Sequence, residues 1–103
     1  MIKIDNNAYT WFESEFEVPK PFSIRLYPQY AGFGEKNKGF SLAFSLEEPN
    51  LAENKQEING ITFFVESNDT WFFDETDVNI QFCENKKEVF ATYSYSSTYI
   101  DLF

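Results

Sequence analysis

The sequence predicts an α+β domain that is predominantly β, with one helix near its N-terminus. Two observations lead to this prediction. Apolar residues recur at helical spacing only at the start of the chain, and from Phe22 onward they recur at every second residue. The 103 residues also fall in the size range of one domain, so we expect a single domain over residues 1–103.

The first elements are a short strand and the helix. The pattern favours a strand at Met1–Ile4, after which Asp5 offers its carboxylate as a helix cap. The apolar residues that follow at helical spacing are Ala8, Trp11, Phe12 and Phe16. The helix must end by Val18, because Pro19 and Pro21 follow it.

Five later segments are typical of strands: Phe22–Tyr27, Phe40–Leu46, Gly60–Glu66, Asp77–Cys83 and Glu88–Tyr95. The clearest alternation is FSLAFSL, with large apolar residues on one face. Its other face carries only Ser41, Ala43 and Ser45, and we expect another layer to cover this small face closely. A short helical turn is expected near Asp69–Phe73, capped by Asp69 or Thr70, and ENKKE is expected to form a hairpin turn.

The stretch YPQYAGFGEKNKGF holds three of the four glycines of the chain, Gly32, Gly34 and Gly39. One interpretation is a phosphate-binding loop, which requires a following helix whose amides face the anion. Here the loop runs into an alternating strand, and no Gly-Lys-Ser/Thr motif is present. We therefore favour a hairpin whose glycines supply positive φ angles.

Composition restricts the partners. With 17 acidic against 8 basic residues, the net charge is −9 and the pI is about 4.3. This balance disfavours nucleic acid and anionic membranes, which are bound largely through Lys and Arg. No signal-like or membrane-spanning run is found, so we expect a cytoplasmic protein.

The aromatic content is high, with 13 Phe, 6 Tyr and 2 Trp. A domain of this size has difficulty enclosing so many rings, and aromatic side chains are enriched in interfaces. We therefore expect a protein partner or self-association, with a homodimer as one form of it.

The residues for a metal site are scarce, since the chain has no His and one Cys. A closed zinc site from one chain is excluded in any usual form. Two acidic clusters remain: Glu13, Glu15 and Glu17, and Asp74, Glu75 and Asp77. We interpret the first as a solvated helix face and the second as a turn before a strand, because neither has EF-hand spacing.

Catalysis is not expected. Histidine, the usual proton shuttle near neutral pH, is absent, and Cys83 has no adjacent Lys or Arg to activate it along its strand. On a strand Cys83 shares a face with Asn79 and Gln81, which indicates an ordinary half-exposed thiol.

Three segments together resemble the HesB/IscA-like iron–sulfur cluster biosynthesis family, also called A-type carriers, and within it the HesB/YadR/YfhF branch. The segments are Phe22–Phe44, Ile58–Asp77 and Val78–Phe82. This resemblance implies a compact mixed β sandwich or pseudobarrel with a helix packed on it. It also implies an iron–sulfur cluster as cofactor and a role in cluster assembly or carriage.

The resemblance places the first cluster-ligating cysteine of the family in the glycine loop, at Gly32, Phe33 and Gly34. Phe33 stands at the cysteine position, and the Cys-Gly-Cys that the family carries near its C-terminus has no counterpart in YSYSSTYIDLF. Cys83 matches no motif cysteine and is the one thiolate left for a cluster.

Three hypotheses follow. The protein carries iron or a cluster, through Cys83 shared across a dimer or through carboxylates. Alternatively, it is a non-metal interaction module that keeps the family fold and uses its aromatic surface. The third is an enzyme with a carboxylate pair such as Asp74 and Asp77, which ranks last because nothing in the sequence positions a substrate.

Overall fold

The computed structural model describes residues 2–30, 32, 39–73 and 76–95. In chain order the strands and helices are β1 (Ile2–Ile4), α1 (Asn6–Glu15), β2 (Phe22–Tyr30), β3 (Phe40–Leu46), β4 (Ala52–Ile58), β5 (Ile61–Glu66), α2 (Thr70–Phe73), β6 (Thr76–Cys83) and β7 (Glu88–Tyr95). A 3₁₀ turn at Ser67–Asp69 leads into α2.

The strands form two mixed sheets. The small sheet has the order β1-β6-β7, with β1 parallel and β7 antiparallel to β6. The large sheet has the order β3-β2-β5-β4, in which β2 and β5 are parallel and both outer pairs are antiparallel. This architecture confirms the predicted α+β, predominantly β fold with one N-terminal helix and a helical turn near Asp69–Phe73.

The core joins both sheets and both helices. Its buried members are Ile2, Ala8, Phe12, Phe22, Ile24, Leu26, Ile61, Phe63, Val65, Phe72, Phe73, Val78 and Ile80. Phe12 illustrates the packing: α1 lies against β6 and β7, while the Phe12 ring meets Phe44 and Phe63 of the large sheet edge-on, with centroids 5.0 Å apart. One helical side chain thus ties the small sheet to the large one, and its burial stabilises both.

The start of α1 differs from the prediction. Asp5 occupies the N-cap position, but its carboxylate makes no capping hydrogen bond. Its backbone is used instead: the Asp5 N–H donates to the Ile80 carbonyl at 3.0 Å, and its carbonyl accepts from Tyr9 N–H at 2.8 Å. The helix ends at Glu15, before the limit set by the prolines.

Two expectations about the large sheet need correction. The small face of β3 is covered only in part, since Ser41, Ala43 and Ser45 are half-buried. The reason is that β3 lies at the edge of its sheet. The second concerns β4, a strand that lies outside all the segments predicted from the sequence.

Within the described ranges, no helix has the length and apolar character needed to cross a bilayer. The longer of them, α1, has 10 residues, about half of the ~20 that a helical span requires.

Candidate functional site

The glycine loop joins β2 to β3, and these two strands pair antiparallel as a hairpin. Gly32 and Gly39 have φ angles of +79° and +91°, and the Gly32 N–H donates to the Gly39 carbonyl at 3.1 Å. Only glycine adopts such angles without strain, and the positive φ angles expected of the loop glycines are confirmed at these two positions. Phe33 and Gly34, the other predicted site residues in this loop, lie outside the described residues.

Gly39 also permits a close approach of the Tyr30 side chain to the loop. A Cβ atom at this position would lie 2.7 Å from Cε1 of Tyr30, so the tyrosine ring rests directly on the backbone of the loop. The Tyr30 ring thus occupies space that a side chain at position 39 would need.

Beside this loop lies a row of three aromatic side chains, Tyr30, Phe40 and Trp71, which we call the aromatic rim. Tyr30 and Phe40 are register partners on β2 and β3, and their rings meet edge-on with centroids 5.5 Å apart. Phe40 meets Trp71 of α2 in the same way at 5.4 Å. Tyr30 is 72% exposed and Trp71 is 51% exposed.

The rim continues into the core through α2. Trp71 packs edge-on against Phe72 at 5.8 Å, and Phe72, which is buried, packs against Tyr93 of β7 at 6.2 Å. Trp71 and Phe72 are neighbours in α2, but Trp71 is half exposed and Phe72 is buried, because successive side chains leave a helix in different directions. Trp71 thus packs against Phe72 on one side while about half of its surface stays exposed to solvent.

Arg25 fixes the element that carries Trp71. This single arginine of the chain donates from Nη2 to Asp69 Oδ2 at 2.7 Å and from Nη1 to Glu47 Oε1 at 3.3 Å. The hydrogen bond to Asp69 is the main cause of a raised pKa at Arg25, against desolvation. Asp69 is the last residue of the 3₁₀ turn, so the ion pair anchors the start of α2 to β2.

A second ion pair lies away from the rim. Lys20 donates to Glu13, and also to the Tyr9 hydroxyl at 2.7 Å, which itself lies 3.2 Å from the Asn59 carbonyl. The hydrogen bond from Lys20 is the main cause of a lowered pKa at Glu13. This contact joins α1 to the β4–β5 turn, which gives Glu13 a structural role.

The other acidic candidates that the structure describes do not form a metal site. Glu15 and Glu17 are exposed, and Asp74 and Glu75 lie outside the described residues. In the part of the chain that the structure describes, no group of three or more His, Cys, Asp or Glu is placed to hold a metal ion.

Cys83 ends β6, opposite Glu88 of β7, in the small sheet. Its side chain is half-buried, as predicted, and its carbonyl accepts the Lys87 N–H at 2.8 Å in the turn to β7. Val78 and Ile80 face the core, so Asn79, Gln81 and Cys83 share the outer face of the small sheet. The fold therefore places Cys83 in a different sheet from the glycine loop.

The donor set does not fit an iron–sulfur cluster held by one chain. Such clusters are held by several thiolates, with His as an occasional substitute. The whole sequence has one Cys and no His. The residues that flank the described part of the glycine loop, Tyr30 and Phe40, offer aromatic rings instead of ligands.

A shallow open cleft of about 300 Å³ lies between α1 and the end of β6. Its lining is Asn7, Thr10, Trp11, Ser14, Phe82 and Glu84. Glu84 is the one titratable side chain among them, so this cleft provides no acid–base pair. Sequence reasoning did not find it, because its residues come from two distant segments.

The fold is similar to that in the crystal structure of Escherichia coli SufA, a protein involved in the biosynthesis of iron–sulfur clusters. The two structures align with a TM-score of 0.57 over 91% of this chain and 79% of SufA, at 19% sequence identity. The molecule therefore has a SufA-like fold, the fold that the HesB/IscA-like resemblance implies.

No family model matches the sequence. The chain is 33% identical to the pyruvate dehydrogenase inhibitor of Bacillus subtilis strain 168 over 85 residues, which are 82% of this chain and 90% of that protein. It is 28% identical over 91 residues to an uncharacterized protein of Staphylococcus saprophyticus, covering 85% and 93% of the two chains. The chain therefore belongs to the family of the B. subtilis pyruvate dehydrogenase inhibitor.

Proposed function

We propose that this protein acts by binding another protein through the aromatic rim, without an iron–sulfur cluster, and that its partner is a pyruvate dehydrogenase. The partner is suggested by the name of the B. subtilis relative. The observation that carries the proposal is the rim itself, in which two aromatic rings remain largely exposed while the residues behind them are fixed.

The rim has the properties of a binding anchor. Trp and Tyr are enriched among the residues that dominate binding energies, because a rigid ring buries a large area at a low cost in conformational entropy. Here Trp71 is backed by Phe72, and α2 is held by the Arg25–Asp69 ion pair. Little ordering is left to occur on binding, which favours affinity.

The charge of the molecule suits such a partner. A net charge of −9 favours encounter with a protein surface that carries basic residues around an apolar pocket. The same charge repels nucleic acid, and we propose that the protein works in the cytoplasm as a binding protein and not as an enzyme.

The test is inhibition of a purified B. subtilis pyruvate dehydrogenase complex, followed as NADH formation against increasing concentrations of this protein. We expect the wild-type chain to inhibit. Trp71→Ala and Tyr30→Ala should each weaken inhibition by about tenfold or more, as expected for anchor residues. Phe90→Ala is the matched control, because Phe90 is an exposed aromatic residue of β7 on the other sheet.

Two results would overturn the proposal. One is a wild-type chain that leaves the dehydrogenase fully active at saturating concentration. The other is a Trp71→Ala variant that inhibits as well as Phe90→Ala does.

The SufA-like fold favours one second candidate, cluster carriage by two copies that share their Cys83 thiolates. Anaerobic reconstitution with ferrous iron and sulfide, then desalting, tests it through the visible absorption of a thiolate-held cluster. Stoichiometric iron that disappears in Cys83→Ser would support carriage. A colourless wild-type protein would exclude it and leave the binding proposal as it stands.

A further inference from the structure

We propose that β3 is a self-association edge. It pairs antiparallel with β3 of a second copy of this chain about a twofold axis at Ala43, and the two large sheets become one sheet of eight strands. This inference goes beyond the proposed function and does not depend on it.

The first argument is that β3 is an open edge. In the described residues its one neighbour is β2, so alternate backbone N–H and C=O groups of this seven-residue strand point away from the sheet. Its sequence, FSLAFSL, contains no charged residue and no proline. Charge and proline are the usual means by which proteins block an edge against pairing.

The second argument is that FSLAFSL is self-complementary when it runs antiparallel to itself. With Ala43 on the axis, the cross-strand pairs are Ala43 with Ala43, Leu42 with Phe44, Ser41 with Ser45, and Phe40 with Leu46. Every apolar residue then faces an apolar residue, and every serine faces a serine, as stable cross-strand pairing requires.

Other registers are worse. A shift of one residue sets serines opposite Phe or Leu. It also places the apolar face of one copy on the opposite side of the joined sheet from the apolar face of the other. A shift by two keeps the faces but leaves residues of the strand unpaired. Only the register centred on Ala43 pairs all seven residues of β3.

The third argument is that the apolar side chains of β3 are only partly covered by the rest of the chain. Leu46 is 45% exposed, and Phe40, Leu42 and Phe44 are half-buried against the core. A partner strand in this register covers these side chains with their own counterparts, which is the isologous contact of a twofold dimer. β3 itself is uncharged, so pairing in this register sets no like charges directly opposite each other within the strand.

One strand pair makes a small interface, and we expect a reversible dimer that is best measured at high protein concentration. Sedimentation velocity over a range of concentrations should show a monomer–dimer equilibrium. Ala43→Lys sets two like charges on the axis and should weaken association by about tenfold or more. Gln56→Lys adds the same charge to β4 at the opposite edge and should leave association unchanged.

Disulfide trapping tests the register even where a charged variant folds poorly. In a Cys83→Ser background, Ala43→Cys brings two Cα atoms to about 4.5–5.5 Å, within the disulfide range of about 4.4–6.8 Å. Ser41→Cys is the matched control, because two copies of residue 41 lie about 13 Å apart along the strands. A mixture of Ser41→Cys and Ser45→Cys chains should form the mixed disulfide.

Rapid oxidation of Ala43→Cys to a covalent dimer, with slow oxidation of Ser41→Cys alone, would support the inference. Equal rates for the two variants would overturn it, as would a wild-type chain that stays monomeric at millimolar concentration. Sedimentation and disulfide trapping are carried out without any dehydrogenase, so a failure here is distinguishable from a failure of the binding proposal.

Discussion

The two edges of the large sheet, β3 and β4, are built in opposite ways. Each has seven residues, and within the described residues each pairs with a single strand, β2 or β5 respectively. β3 is uncharged, and all of it but Leu46 is half-buried. β4 carries Glu53, Lys55 and Glu57, is exposed along its middle, and has a register irregularity between Ala52 and Asn54.

Among the described residues, β4 carries the features that protect a strand edge and β3 does not. Charged side chains and bulges are common means of keeping a strand edge from pairing with another chain. β4 has charged side chains and an irregular register, whereas β3 is uncharged and pairs with β2 in an unbroken register. The difference is informative because both strands belong to one sheet, so it arises from their sequences and not from their place in the fold.

The largest expected difference between the edges is in stability. Phe44→Ala on β3 removes a ring that meets Phe12 at 5.0 Å, and we expect it to lower the free energy of unfolding by about 2–3 kcal/mol. Gln56→Ala on β4 is exposed and should cost less than about 0.5 kcal/mol. Urea denaturation of both variants measures this. Equal costs would show that β3 contributes no more to the core than β4.

The next effect concerns association through β4. A Glu53→Thr, Lys55→Thr, Glu57→Thr variant removes all three charges of β4 and should turn it into a second permissive edge. Molecules with two such edges assemble beyond a dimer, which light scattering detects. If the particle size equals that of the wild type, the charges of β4 are not what blocks this edge.

The smallest effect is an acid dependence at the end of β3. The pKa of Glu47 is lowered, mainly by the hydrogen bond that the Ser45 hydroxyl donates, with Arg25 as a further cause. A lowered folded-state pKa stabilises the fold above the unfolded pKa of about 4.3, and this contribution is lost as the pH falls through the folded value.

Glu47→Gln should therefore reduce the loss of stability between about pH 5 and pH 3. The change should stay below about 1 kcal/mol, because the Glu47 side chain is 43% exposed and screened by solvent. Urea midpoints measured across this range, with Glu57→Gln as the control for removal of one carboxylate, provide the check. An identical acid profile in Glu47→Gln and wild type would contradict the assignment.

The sequence predicts most strands because their apolar residues alternate, and it misses β4 because that strand buries almost nothing. AENKQEI lies at an edge and is held by backbone pairing with β5, which leaves no periodic signal. The available signal was the turn: Asn59 and Gly60 have φ angles of 46° and 90°, and Asn-Gly between Ile58 and Ile61 is typical of a two-residue hairpin.

The candidate site was less accessible from the sequence. The positive φ angles of Gly32 and Gly39 could be predicted, because glycines in a strand-to-strand loop favour them. The aromatic rim could not, since it joins residues of β2, β3 and α2. The parallel pairing of β2 with β5 joins segments distant in the sequence, and local pattern does not encode such pairing.

The Arg25–Asp69 ion pair has a consequence for how binding strength can change. Arg25 lies on β2 and contacts no member of the rim in the described contacts, yet it fixes the turn from which α2 and Trp71 extend. We expect a substitution at Arg25 or Asp69 to loosen this turn and change the orientation of the Trp71 indole, while the indole itself is unchanged. Under the proposed function, we therefore expect substitutions at Arg25 or Asp69 to change the affinity for the partner, although neither residue belongs to the aromatic rim.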